Sequence, residues 1–181
     1  MDDLKNKTPM ELVAYIEGRD GAMLQETFPL LDRLAAEALA AGGPEAALEG
    51  VRLLLRLLHV TLDHHLLSEA VGLFPIVRGL DPAKPSLTPE ARKARYLVRH
   101  LKYEHELFLA ALGRLGEVTS DYALPPDASP SLRALYDALR ALDADLHEHI
   151  QIENELLFLG ILPDADLLNP QQEEARTWSP N

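Results

Sequence analysis

The sequence predicts an all-α chain folded as an antiparallel up-down-up-down four-helix bundle, and three observations predict it. Leu- and Ala-rich segments with helical spacing fill most of the 181 residues, whereas sustained alternation of β-branched residues is absent. Four starts, Thr8-Pro9, Gly43-Pro44, Thr88-Pro89 and Ser129-Pro130, each set a capping residue before a proline at the first helical position. The connections between these segments are short or moderate, which favours antiparallel neighbours.

The first helix is expected over about residues 9–41, opened by a capping box in which Glu11 follows Thr8 by three positions. Gly42-Gly43 supplies a tight αα-hairpin into a second helix, about 44–79. The stretches from Gly79 to Pro89 and from Val118 to Pro130 are Pro-rich and cannot continue a helix. They set off a third helix at about 89–117 and a fourth at about 130–161. Residues 1–162 therefore read as one bundle domain. The tail, 163–181, rich in Gln, Glu and Pro with the lone Trp178, has no helical period and is expected to pack loosely or stay disordered.

Composition narrows the function classes. A 47% hydrophobic content is ample for a single core. Acidic residues outnumber basic ones 29 to 17, and the net charge of −12 repels nucleic-acid backbones and anionic membranes, so neither is expected as a partner. One short basic cluster, Arg92, Lys93 and Arg95 with Arg99 and Lys102, reads as a solvated helix face. Without cysteine, any metal must sit on nitrogen and oxygen donors. Even the apolar run at 51–60 carries Arg52, Arg56 and His59, which argues against a membrane span. The opening Met1 to Lys7 lacks the basic-then-apolar layout of a secretory signal, so a cytoplasmic protein is expected.

The most informative feature is a phrase that occurs twice: His65 and Glu69 followed by Phe74, and His149 and Glu153 followed by Phe158. On a helix, a His and a Glu four residues apart share one face and can reach one ion or a shared pair. Both pairs interrupt apolar stripes, Val51, Leu58, Leu62, His65, Glu69, Gly72 in the second helix and Leu139, Leu142, Leu146, His149, Glu153, Leu156/Leu157 in the fourth. His105 does the same in the stripe Val98, Leu101, His105, Phe108/Leu109. A lone inward histidine is ordinarily a hydrogen-bonded core residue, and a lone His-x3-Glu pair a surface ion pair. Two carboxylates converging on one interior repel each other, and a cation resolves that conflict. His65, Glu69, His105, His149 and Glu153 are the candidate metal ligands. Imidazole with carboxylate suits iron, manganese or zinc. His59, His64, His100 and His147 fall on flanking faces and read as non-ligands, with His100 beside Tyr96 and Tyr103 a candidate supporting residue.

These residues resemble the hemerythrin HHE cation-binding domains, and among them the di-iron proteins of iron–sulfur cluster repair. His65-Leu-Leu-Ser-Glu69-Ala-Val-Gly-Leu-Phe74-Pro75 matches the family's His-x3-Glu-x3-Leu-Phe-Pro signature. Glu104-His105-Glu106 matches its Glu-His-acidic element, and His149-Ile-Gln-Ile-Glu153-Asn154-Glu155-Leu-Leu-Phe158 its last helix, with Leu159 where proline often stands. The resemblance, over about residues 9–162, implies two irons bridged by Glu69 and Glu153, with His65, His105 and His149 as terminal ligands. It also exposes a departure, because the family's first helix normally contributes a histidine and this chain has none before His59. Aligning Pro29 with the family's proline puts the absent imidazole near Gly21. Three outcomes follow: Glu17 or Asp20 substitutes as an oxygen ligand, the glycines leave an open coordination position, or the second metal binds weakly and the centre is mononuclear.

The implied activity is a non-haem iron protein that binds or reacts with O₂, NO or peroxide in the bundle centre, in stress response, cluster repair or sensing; the motifs assign no turnover. The alternatives are a degenerate or haem-type bundle, and an interaction module whose acidic surface docks a partner. Ferritin-like Glu-x-x-His and hydrolytic His-Glu-x-x-His are both absent. Monomer and homodimer are equally compatible with the sequence.

Overall fold

The computed structural model describes residues 3–79 and 88–161, and among these every regular element is helical. The first helix runs Pro9–Ala22, passes through a π turn at Met23–Thr27 and continues as Phe28–Ala40. The second comprises Glu45–Ser68, a π turn at Glu69–Leu73 and Phe74–Gly79. The third, Pro89–Thr119, is unbroken. The fourth comprises Pro130–Ile152, a π turn at Glu153–Leu157 and Phe158–Ile161. This is the four-helix bundle that the sequence predicts, with bounds within two residues of expectation. The expected tail from Pro163, including Trp178, lies outside the described residues.

Local chemistry explains the starts. Thr8 accepts from the Glu11 backbone N–H while the Glu11 carboxylate accepts from the Thr8 N–H at 2.8 Å, closing the capping box. Thr88 and Ser129 cap the third and fourth helices through their hydroxyl oxygens. The second helix departs from expectation. Pro44 itself is the extended cap (ψ 98°) and no side chain accepts there, so the helix begins one residue later at Glu45. Gly42 takes φ +78°, and a Cβ on Gly43 would sit 2.8 Å from both the Ala38 carbonyl oxygen and Leu48 Cδ1. Both glycines are thus required by the tight hairpin.

The π turns were not foreseen, and they correct the stripes read from the sequence. In each, the backbone N–H of Phe74 or Phe158 bonds to the carbonyl of Glu69 or Glu153, five residues back. The extra residue turns Leu73 and Phe74, and Leu157 and Phe158, into the core, leaving Gly72 and Leu156 half-buried. Leu109 is 39% exposed, so Phe108 alone carries that position in the third helix. Arg95 is buried at 6% exposure, so the basic cluster is only partly a solvated face.

The apolar interior falls into two clusters. One includes Phe28, Leu62, Phe108 and Leu146; the other Leu73, Phe74, Leu101, Ile152 and Phe158. Along the second helix His65 and Glu69 lie between Leu62 and Leu73, and along the third His105 lies between Leu101 and Phe108. The polar residues therefore form a layer with packed hydrocarbon on either side, which keeps bulk water from it.

Candidate metal centre

Each helix delivers its part of the layer. His65 and Glu69 come from the second helix, Glu104 and His105 from the third, His149 and Glu153 from the fourth, and Asp20 from the first. His65, Glu69 and Glu153 are fully buried, and His105, His149 and Asp20 are 1%, 2% and 5% exposed. Both predicted His–Glu pairs and His105 are thus buried in the interior. Phe108 meets the His65 ring edge-on at 5.2 Å, and Phe158 stacks on His105 at 5.8 Å.

The three imidazoles are oriented alike. His65 Nδ1 faces Glu104 Oε2 at 3.0 Å, His105 Nδ1 faces Asn154 Oδ1 at 3.3 Å, and His149 Nδ1 faces Asp20 Oδ1 at 3.4 Å. For His65 and His105 a hydrogen-bond acceptor behind Nδ1 turns Nε2 to the front, the arrangement that carboxylates and amides impose on metal-binding histidines, while Asp20 stands behind His149 at ion-pair distance only. The Nε2 atoms do converge. His65 Nε2 is 3.3 Å from His105 Nε2 and 3.4 Å from His149 Nε2. Glu153 completes the group, with contacts of 3.1 Å to His105, 3.3 Å to His149 and 3.5 Å to His65. Glu153 meets His105 and His65 through Oε2 and His149 through Oε1, and one donor atom from each of the four residues lies within 4.8 Å of the others, close enough to share one cation.

A second group shares two members with the first: Asp20, Glu69, His149 and Glu153, whose donor atoms all lie within 4.8 Å of one another. Of the two candidates for the missing ligand, Asp20 joins the cluster and Glu17 does not. Glu17 is exposed and pairs instead with Arg78 at 2.5 Å. All six carboxylate oxygens of Asp20, Glu69 and Glu153 are buried without a hydrogen-bond partner. Their nearest cationic neighbours are histidines at 3.1–3.7 Å, and a buried carboxylate without a hydrogen bond costs several kcal/mol. The donor set thus fits a cation, the one partner that satisfies all three at once.

The electrostatics of the metal-free layer follow the same geometry. Burial favours the neutral His65 ring, but the Glu104 hydrogen bond and the nearby Glu153 outweigh it and lift His65 to about 9. Burial pushes the Glu69 carboxyl well above its ordinary range, and the charge of Glu153 adds to the rise. Burial acts on Glu153 in the same direction, but His149, His105 and His65 overcome it and hold the acid well below that range. Burial dominates at His105 and lowers its pKa. These opposite shifts favour His65 as the donor in its 3.3 Å contact with His105 Nε2.

Glu104 and Asn154 are the supporting residues that sequence reasoning quoted only as parts of motifs. Their position one residue beside a ligand in His105 and Glu153 is the signal that marks them. Glu104 also faces His64 at 3.2 Å and His100 at 3.3 Å, so His100 does support the centre indirectly. His59 stacks on Phe28 at 4.7 Å, and His147 pairs with Asp143 at 2.8 Å; both stay outside the layer, as expected.

A cleft of about 290 Å³ opens between the first and second helices, lined by Glu17, Asp20, Gly21, Asp63, Glu69 and Phe74 among others. Glu69 and Asp20, both buried, form part of its inner wall. Gly21 forms part of its wall, and a Cβ there would meet nothing within 4 Å.

An all-helical bundle with a buried layer of imidazoles and orphaned carboxylates defines a cation-binding domain. The chain belongs to the hemerythrin HHE cation-binding domain family, whose model matches residues 24–159. Among curated proteins the chain is similar to iron–sulfur cluster repair protein YtfE of Escherichia coli O81, 26% identical over 158 residues covering 86% of this chain and 67% of that protein. It is also similar to the protein of that name from Cronobacter sakazakii, 29% identical over 153 residues covering 82% of this chain and 63% of the relative. The chain thus spans about two thirds of the length of the relatives it matches.

Proposed function

We propose that this chain holds a non-haem di-iron centre that binds O₂, NO or peroxide, and that it serves oxidative or nitrosative stress response or iron–sulfur cluster repair. The observation that carries this reading is the set of six buried, unpartnered carboxylate oxygens beside three converging Nε2 atoms. His65, His105, His149 and Glu153 would hold one iron, and Asp20, Glu69 and Glu153 would hold a second, with Asp20 supplying the donor for which the first helix has no histidine. When bound, the metal pair supplies electron transfer and an open position for a small ligand.

The chain's own residues do the rest. Glu104, Asn154 and Asp20 fix the imidazole orientations, Phe108 and Phe158 exclude water from two sides, and the Gly21 cleft admits the ligand. The relatives are named for iron–sulfur cluster repair, which favours iron among the metals that this donor set accepts. A haem-type site fits poorly, because the three imidazole rings pack with centroids 4.8–5.7 Å apart and leave no slot for a macrocycle.

The test is metal analysis of protein purified without added metal, with an absorption spectrum. About two equivalents of iron and a near-ultraviolet charge-transfer band that shifts on adding NO support the proposal. A Soret band, or zinc alone with no response to NO, overturns it. Among the described residues no helix is long and apolar enough to cross a membrane.

A further inference from the structure

The sequence holds a third His-x3-Glu pair besides the two that interrupt apolar stripes. His100 and Glu104 on the third helix have the same four-residue step as His65–Glu69 and His149–Glu153, so they project from one face, a turn apart. This pair stands on the flank of the bundle rather than in its centre. The Glu104 side chain is 12% exposed and that of His100 44%, and His64, 64% exposed, reaches the same carboxylate from the second helix.

Both rings meet one atom. His64 Nδ1 lies 3.2 Å and His100 Nε2 3.3 Å from Glu104 Oε1. One donor atom from each of the three residues lies within 4.8 Å of the others. The second oxygen, Oε2, is occupied by His65 Nδ1 at 3.0 Å. Glu104 is therefore fixed from the inside and turns Oε1 outward to the two exposed histidines. A lone surface pair such as His147 with Asp143 engages one imidazole. Here two imidazoles from different helices converge on one oxygen of a carboxylate that is already anchored at its other end.

We propose that His64, His100 and Glu104 form an outer cation site, separate from the buried layer, that takes a divalent transition-metal ion such as Zn²⁺ or Fe²⁺. Two imidazoles and one carboxylate oxygen are donors that these ions accept, and the solvent side of the site leaves the remaining positions to water. Mg²⁺ and Ca²⁺ want several oxygen ligands, and this site offers one. Because Glu104 is held in place before the ion arrives, less ordering is required on binding. The net charge of −12 draws cations toward the surface. An ion here shares Glu104 with the hydrogen bond that orients His65, so the outer site stands back to back with the buried centre. None of its three residues is a ligand there, and the inference does not depend on that centre being loaded.

Equilibrium dialysis of the full chain against Zn²⁺ at about 1–100 μM, with bound zinc and iron counted by mass spectrometry, tests it. Wild type is expected to hold one more equivalent of zinc than His64→Ala or His100→Ala, in which affinity for that equivalent falls at least tenfold, while iron carried from purification is equal in all three. His147→Ala, which removes only the lone surface pair, is expected to keep the equivalent. Should an alanine variant fail to fold, His64→Gln and His100→Gln decide, since glutamine can still hydrogen-bond to Glu104 but is a poor ligand; they too should lose the equivalent. A wild type that binds no more zinc than these variants overturns the proposal, as does an additional equivalent that survives loss of either ring. Counting by difference separates this result from the loading of the buried centre: a chain that takes no metal there still shows one equivalent dependent on His64 and His100.

Discussion

Replacing Gly21 with histidine restores a first-helix imidazole at the mouth of the cleft, and its effect divides into two parts that can be measured separately. The first is independent of metal. Glycine inside a helix costs about 0.5–1 kcal/mol relative to alanine, and the new Cβ meets nothing within 4 Å. Gly21→Ala should therefore raise the melting temperature of metal-free protein by about 1–4 °C for a chain of this size, and Gly21→His by somewhat less. The second part is a new donor. A tenfold gain in iron affinity corresponds to about 1.4 kcal/mol, which adds roughly 3–5 °C for Gly21→His at saturating metal and nothing for Gly21→Ala. The imidazole also occupies part of a 290 Å³ cleft, so NO or azide should bind more slowly. Differential scanning calorimetry with and without iron, and stopped-flow ligand binding, measure both parts. If Gly21→His matches Gly21→Ala in iron affinity and ligand access, the cleft is not the way to the second metal position and the placement of the first helix is wrong.

Two further outcomes are expected. Glu69→Ala and Glu153→Ala should each lower bound iron and thermal stability together, because metal bound by the native state is linked to folding; unchanged iron content in both variants would refute the bridging roles. In metal-free protein, His65 is raised from 6.5 to about 9, so its contribution is complete below the lower value and lost as pH climbs through the higher. Glu69, also raised, acts with the same sign, and stability should fall by on the order of 3 kcal/mol between about pH 6 and pH 10. Iron replaces the shared proton and should flatten that dependence, which urea unfolding at a series of pH values measures. A metal-free protein that is more stable at the alkaline end would contradict the assignment.

Much of this molecule could be read from residue order alone, and the failures have physical causes. Helix starts were legible because Thr8, Thr88 and Ser129 signal through local hydrogen bonds, and Pro44 misled because proline is tolerated equally at a cap and at the first turn. The inward facing of His65, Glu69, His105, His149 and Glu153 followed from periodicity, which the core obeys. Periodicity could not choose between Glu17 and Asp20, which lie three residues apart on one face. The choice is made by Arg78, sixty-one positions away, which captures Glu17 at the surface. The π turns escaped because one added residue leaves no compositional mark. The only trace was an offset of five from Glu69 to Phe74 and from Glu153 to Phe158, shared by Met23 and Phe28 in the first helix.

Those π turns constrain how the chain can change over evolutionary time. His65 to Phe74 and His149 to Phe158 each span nine positions, and the surplus residue in each turn lets the His-Glu pair and the following phenylalanine face the same interior. Deleting Ala70 would let the second helix relax to a plain α spiral and swing everything on one side by about 100° relative to the other. Either the liganding pair or the Phe74 anchor would then be thrown outward. Descendants of this gene should accordingly accept substitutions within the two segments far more readily than gains or losses of a single codon.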